Sequence, residues 1–193
     1  MKYPIVIVAV LAVLSSSCGD AASTATTTTT SAATATTKET IPTTTTEGAS
    51  MELTSPAFDH DEAIPVRYTC DGDDVSPELR ITAIPEGTAT LALITDDPDG
   101  PGGTWDHWIA FDFVPAGTIP ENVGELGTGG LNSWEQIGYG GPCPPTGTHR
   151  YFFKVLALDA PLGLDEGSDK SQILAASEGH VLAEAMLMGT FSR

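Results

Sequence analysis

Across residues 51–193, short apolar runs rich in β-branched and aromatic residues alternate with glycine- and proline-dense loops, a rhythm that points to a mainly β domain. Residues 90–95, 107–114 and 149–158 are the clearest strands. Side chains alternate along a strand, so Ile109, Phe111 and Phe113 should share one face, with Trp108, Ala110 and Asp112 on the other. In the third run His149, Tyr151, Phe153 and Val155 point one way; Phe152, Leu156 and Leu158 lie opposite, beside Arg150 and Lys154. Both faces are apolar toward its end, which marks a central strand covered on both sides. Weaker strands are expected at residues 65–68, 79–82 and 186–191. Helical patterning is confined to the end. Ser168 or Asp169 can cap a helix over residues 170–177 with Ile173, Leu174 and Ala176 inward, and a second short turn is expected over residues 180–185.

The first 50 residues read differently. Residues 1–17 carry one lysine, a ten-residue apolar stretch and a run of serines before Cys18. A bilayer span needs roughly 20 apolar residues, so the pattern is that of a signal peptide. It resembles a bacterial lipoprotein signal, which implies an acylated (palmitate-bearing) Cys18 as the mature N-terminus; an ordinary cleaved signal is the alternative. Between Ser23 and Thr46, 14 of 24 residues are threonine and none is aromatic. Such a segment cannot bury enough apolar surface to offset its ordering entropy. Residues 18–50 are therefore expected to be a lipidated N-terminus and disordered tether, reaching roughly 30 Å by flexible-coil scaling.

Charge narrows the partners. Residues 51–193 hold 23 acids against 6 bases, a net charge of −17. That excludes nucleic acid, which needs a basic footprint, and leaves the N-terminal lipid as the contact with a membrane. With Cys18 lipidated, Cys70 and Cys143 remain as a pair in an oxidising compartment and are expected to be bridged; two buried thiols are the alternative.

Two loops carry the chemistry. The first, Asp96-Asp97-Pro98-Asp99-Gly100-Pro101-Gly102-Gly103, runs into Trp105-Asp106-His107-Trp108; the second, Gly140-Gly141-Pro142-Cys143-Pro144-Pro145, runs into His149-Arg150-Tyr151. If the junctions meet, Asp97, His107, His149 and Tyr151 line one polar pocket. A fixed carboxylate orients an imidazole and sets its tautomer. Gly140 and Gly141 could expose backbone N–H groups to an anion, while the prolines stiffen the walls. His60 and His180 lack such surroundings. The sequence contains no G-x-S-x-G, G-x-x-x-x-G-K-[ST], H-E-x-x-H or C-x-x-C pattern. No catalytic residue, metal or cofactor is assigned.

These motifs, together with Tyr68-Thr69-Cys70-Asp71-Gly72 and Gly179-His180-Val181-Leu182-Ala183, resemble those of the phosphatidylethanolamine-binding protein (PEBP) family, and most of all its bacterial Raf kinase inhibitor-like branch. Gly100 stands where the family usually has alanine. The resemblance implies a β-sandwich with a large central antiparallel sheet, short C-terminal helices and an anion pocket at one edge. By motif, the pocket residues would be Asp97, Asp99, His107, Gly140, Gly141, Pro142, His149 and Tyr151. The function expected is an exported, envelope-tethered, non-enzymatic binding protein for a small phosphate- or carboxylate-bearing ligand. The rivals are an inhibitor of an extracellular protease or other exported partner, and a hydrolase using aspartate–histidine acid–base chemistry.

Overall fold

A computed structural model describes residues 50–193; the signal segment, Cys18 and the threonine-rich tether lie outside the described residues. Eight strands, one α-helix and a 3₁₀ turn follow in chain order: β1 (Glu52–Thr54), the turn Val66–Tyr68, β2 (Leu79–Thr82), β3 (Thr90–Asp97), β4 (Trp105–Phe113), β5 (Thr118–Ile119), β6 (Thr128–Gly129), β7 (Thr148–Leu158), α1 (Lys170–Ser177) and β8 (Val181–Ser192). They form a three-stranded sheet, β1-β2-β5, and a five-stranded sheet, β6-β4-β3-β7-β8, both antiparallel.

β3 is the middle strand of the large sheet, and all eight of its residues are buried. One face of that sheet packs against the small sheet through Leu91, Leu93, Trp108, Tyr151, Phe153 and Val155 with Leu53, Leu79 and Ile81. The other face gathers Ala92, Ile94, Ile109, Phe111, Leu156 and Leu158 beneath Ile173 of α1. β7 therefore is covered on both faces, as its apolar pattern requires.

Two bulges in β4 break simple alternation. Leu91 pairs with Phe113 and Leu93 with Ala110, so β4 carries one residue more than β3 across this stretch. Asp112 supplies it, in the left-handed region at φ 53°. Its carboxylate accepts the Leu162 and Gly163 N–H groups at 2.8 and 3.0 Å, which fixes the distortion. Phe113 is consequently turned into the inter-sheet core with Trp108 and Ala110, not onto the Ile109–Phe111 face that strict alternation predicts. The second bulge lies at the other end, where Thr95 pairs with Trp108 and Asp96 with Asp106, leaving His107 as the extra residue.

Three other expectations change. Residues 66–68 curl into a 3₁₀ turn, with Tyr68 N–H donating to the Pro65 carbonyl at 2.9 Å, because Pro65 starts a turn and only Tyr68 is buried. Residues 181–185 extend β8 instead of forming a second helical turn; β7 offers a ladder partner as far as Leu158. Asp169 caps α1 through a reciprocal box with Gln172, yet Leu174 is exposed and Ile173 alone of the apolar residues is buried.

Cys70 and Cys143 are bridged, with Cα atoms 5.4 Å apart and a sequence separation of 73. Closing a loop of that length stabilises the fold by about 4 kcal/mol in the chain-entropy treatment. The double variant Cys70→Ala/Cys143→Ala should accordingly lose about 3–5 kcal/mol in denaturant unfolding. A loss under about 1 kcal/mol would show that the bridge adds little to the contacts around it.

Candidate functional site

Antiparallel pairing brings the C-terminal end of β3 beside the N-terminal starts of both β4 and β7. Asp97, His107 and His149, far apart in sequence, are thereby placed at one sheet edge. They line a cavity of about 220 Å³ with Gly100, Pro101, Trp105, Trp134, Cys143 and Pro145.

Asp97 is 4% exposed, and both its oxygens are engaged. Oδ2 accepts from His149 Nδ1 at 2.7 Å, and Oδ1 accepts from the Asp99 N–H at 2.8 Å. A carboxylate has no proton to give, so the Nδ1 of His149 carries one, and Nε2 is the nitrogen left for the cavity. His107 repeats this logic with a backbone partner. Its Nδ1 donates to the Gly140 carbonyl at 2.8 Å, while the Gly140 N–H donates back to the His107 carbonyl at 3.0 Å. Burial pushes the His107 pKa below the ordinary imidazole value, against the opposing pull of the Gly140 carbonyl and the Asp97 charge. The bulge turns His107 to the Trp108 side of the sheet, where its ring meets Tyr151 and Trp134 nearly edge to face at 5.2 and 5.0 Å.

The remaining residues expected in the pocket have other tasks. Asp99 takes Arg150 in a fork, at 2.8 Å from Nε and 2.6 Å from Nη2. Those hydrogen bonds pull its carboxyl down to about 2. The pair straps the proline-rich turn onto β7. Gly140 and Gly141 do not present donors to the cavity: Gly140 N–H is spent on His107, and Gly141 N–H donates to Asp74 Oδ1 at 2.7 Å. Their lack of side chains matters instead. A Cβ on Gly140 would sit 2.7 Å from the Trp134 ring, and one on Gly141 would sit 2.5 Å from the Tyr68 carbonyl oxygen. Pro142 is buried behind the wall, its carbonyl accepting the Cys70 N–H at 3.2 Å; Cys143 and Pro145 line the cavity in its place. Tyr151 lies fully buried beneath His107, and its hydroxyl has no hydrogen-bond partner. Burial raises its pKa.

His60 and His180 stand away from the cavity: His60 accepts the Met188 N–H, and His180 donates to Asp159. Among the described residues no three His, Cys, Asp or Glu side chains converge as metal ligands do. Sequence reasoning overlooked Trp134, which has no periodic pattern around it, and left Trp105 as part of a motif without a role. Both rings meet at the cavity mouth, 5.4 Å apart and at 75°.

The site sets two oriented imidazoles around one cavity, each with Nε2 left to hydrogen-bond. It has no free hydroxyl or thiol nucleophile in its lining, since Cys143 is bridged.

The sequence model of the family described as Phosphatidylethanolamine-binding protein matches residues 54–192. A UPF0098 protein of Methanothermobacter thermautotrophicus is 46% identical over 150 residues, covering 74% of this chain and 99% of that protein. A UPF0098 protein of Chlamydia muridarum is 43% identical over 149 residues, covering 74% and 99%. Among solved structures, a crystal structure described as a PEBP homolog, from Chlamydia trachomatis, superposes with a TM-score of 0.73 at 41% identity, covering 75% of this chain and 98% of that one. YbcL of E. coli, described as a member of the mammalian PEBP family, gives 0.70 at 28% identity, covering 75% and 99%. With the two-sheet fold and the bridged, histidine-lined edge already in place, the chain belongs to the phosphatidylethanolamine-binding protein family.

Proposed function

We propose that this protein is an exported, lipid-tethered binding protein whose cavity holds a small phosphoryl or carboxylate anion without turning it over. The observation that carries the reading is the pairing of two histidines, each with Nδ1 fixed, around one cavity. The signal-like residues 1–17, Cys18 and the extracytoplasmic style of the Cys70–Cys143 bridge support export. Passive binding is the reading favoured by a lining with no free hydroxyl or thiol.

The binding chemistry has a definite sign. With each Nδ1–H already donated, a contact between an anion oxygen and Nε2 needs one proton shared between them. That proton sits on nitrogen, as imidazolium, or on oxygen, as P–OH. An imidazole ordinarily loses it near pH 6.5 and a phosphate monoester near pH 6. By either route the complex gains a proton relative to free partners at higher pH, so affinity falls as pH rises.

Calorimetric titration with inorganic phosphate should therefore show binding at least about fivefold weaker at pH 8 than at pH 6, the slope of a single linked proton approaching tenfold per unit. A flat profile contradicts the shared-proton geometry. His149→Ala should weaken binding about 10- to 100-fold, the range of a charge-assisted hydrogen bond. Asp97→Asn, which releases the tautomer but keeps the shape, should cost less than His149→Ala; an unchanged affinity in both variants rejects the site. For the tether, Cys18→Ser should abolish incorporation of labelled palmitate and shift the protein from the membrane fraction to the medium. Retention in the membrane would reject the lipid anchor.

A further inference from the structure

The cavity offers more space, and more apolar surface, than a bare phosphate uses. Its volume of about 220 Å³ would take roughly seven waters at about 30 Å³ each, whereas phosphate is one tetrahedral group. The histidines are the buried end, at 3% and 8% exposure for His107 and His149. Trp105 and Trp134, 38% and 40% exposed, form the mouth. Their crossed rings make an aromatic corner.

Trp134 is held in that corner by a built turn. The side chain of the buried Asn132 accepts the N–H groups of Trp134 and Gln136, each at 3.0 Å. Glu135 closes the turn in the left-handed region at φ 58°, and its N–H donates to the Asn132 carbonyl at 2.9 Å. Gly140 leaves open the space that the indole occupies. So the ring is positioned before any ligand arrives, which reduces the ordering cost of binding.

The wall also lacks something. Asp97 is the only carboxylate lining the cavity among the described residues, and both its oxygens already accept a hydrogen bond. Asp99 is held by Arg150, and Asp106 receives Lys170. An ammonium group on a bound phosphate would find aromatic faces, and a single lining carboxylate whose two oxygens each already accept a hydrogen bond. A flat apolar group would find a surface that fits it.

We propose that the site selects phosphate esters whose other half is flat and apolar, aryl phosphates as a chemical class, with the ring lodged in the Trp105–Trp134 corner and Trp134 setting the preference. This rests on the anion-pocket reading above and narrows it.

The test is calorimetry on the intact, disulfide-bonded protein at pH 6 with inorganic phosphate, phenyl phosphate and phosphorylethanolamine. Phenyl phosphate should bind about fivefold more tightly than either of the others, within the range one aromatic contact supplies. Trp134→Ala should remove that gain and weaken phenyl phosphate more than inorganic phosphate, while Trp134→Phe keeps most of the gain. Because Trp134 is a half-exposed loop residue, its variants should keep the wild-type circular dichroism. Phosphorylethanolamine binding as tightly as phenyl phosphate would overturn the inference and leave the anion pocket standing. So would an equal loss for inorganic and phenyl phosphate in Trp134→Ala, which would mean that the indole only props His107. If His149→Ala leaves phenyl phosphate unaffected, or none of the three ligands binds, the anion pocket falls and the inference falls with it.

Discussion

Two adjacent carboxylates at the end of the central strand organise the rest of the molecule. Asp96 and Asp97 are 3% and 4% exposed, and a buried carboxylate is tolerated only when its charge is met by partners. Successive residues of a strand face opposite sides of the sheet, so the two must be met separately. Asp96 is met on the helix side: Lys154 Nζ lies 3.0 Å from both its oxygens, and Lys170 Nζ lies 2.6 Å from one. Lys170 also reaches Asp106 at 2.8 Å, so the first residue of α1 is pinned across β3 and β4. Asp97 is met on the other side by His149 and the Asp99 amide. The same demand for charge compensation thus docks a helix on one face and builds the ligand site on the other.

The loops around the site are rigid for a related reason. Their backbone polar groups are used up in holding one another. Gly140 exchanges two hydrogen bonds with His107, Gly141 is tied to Asp74, Cys70 N–H reaches the Pro142 carbonyl, and Tyr139 hydroxyl donates to the Tyr68 carbonyl at 2.6 Å. The Cys70–Cys143 bridge runs through the middle of this set. The Gly140 and Gly141 amides are thereby committed, so the proposed anion contact does not run through them. Under the proposal above, recognition falls to the imidazole Nε2 atoms and to ring faces.

Much of this was legible in the sequence. β2 and α1 occur where local patterning placed them, because each is read from short-range signals: alternation in Leu79–Thr82, and a capping residue at Ser168 or Asp169 before α1. The junction histidines and Asp97 could be selected because glycine and proline confine the loops that feed them. What failed was whatever depends on an inserted residue or a distant partner. The bulge at Asp112 reverses the facing of Phe113, and the bulge at His107 re-aims its ring; alternation counts neither. Residues 181–185 look helical in isolation and become strand because β7 offers them a ladder. The donors of Gly140 and Gly141 look free until His107 and Asp74 are seen to take them. Trp134 carries no local signal, since its position is set by a buried Asn132 and the bare backbone of Gly140.

The overall charge then shapes what such a cavity can select. A domain with net charge −17 repels any anion at long range, but salt at physiological strength screens that field beyond about 8 Å. An anion that reaches the cavity must be held by contacts shorter than that distance, against the general field. The imidazole contacts proposed above and the aromatic corner are contacts of this kind. Under the proposal above, a strongly ionised anion with no apolar part gains least, because it meets the repulsion in full and leaves the Trp105–Trp134 surface unused. Under that proposal, selectivity in this chain rests on the neutral portions of the cavity, with the histidines fixing where the charged end would lie.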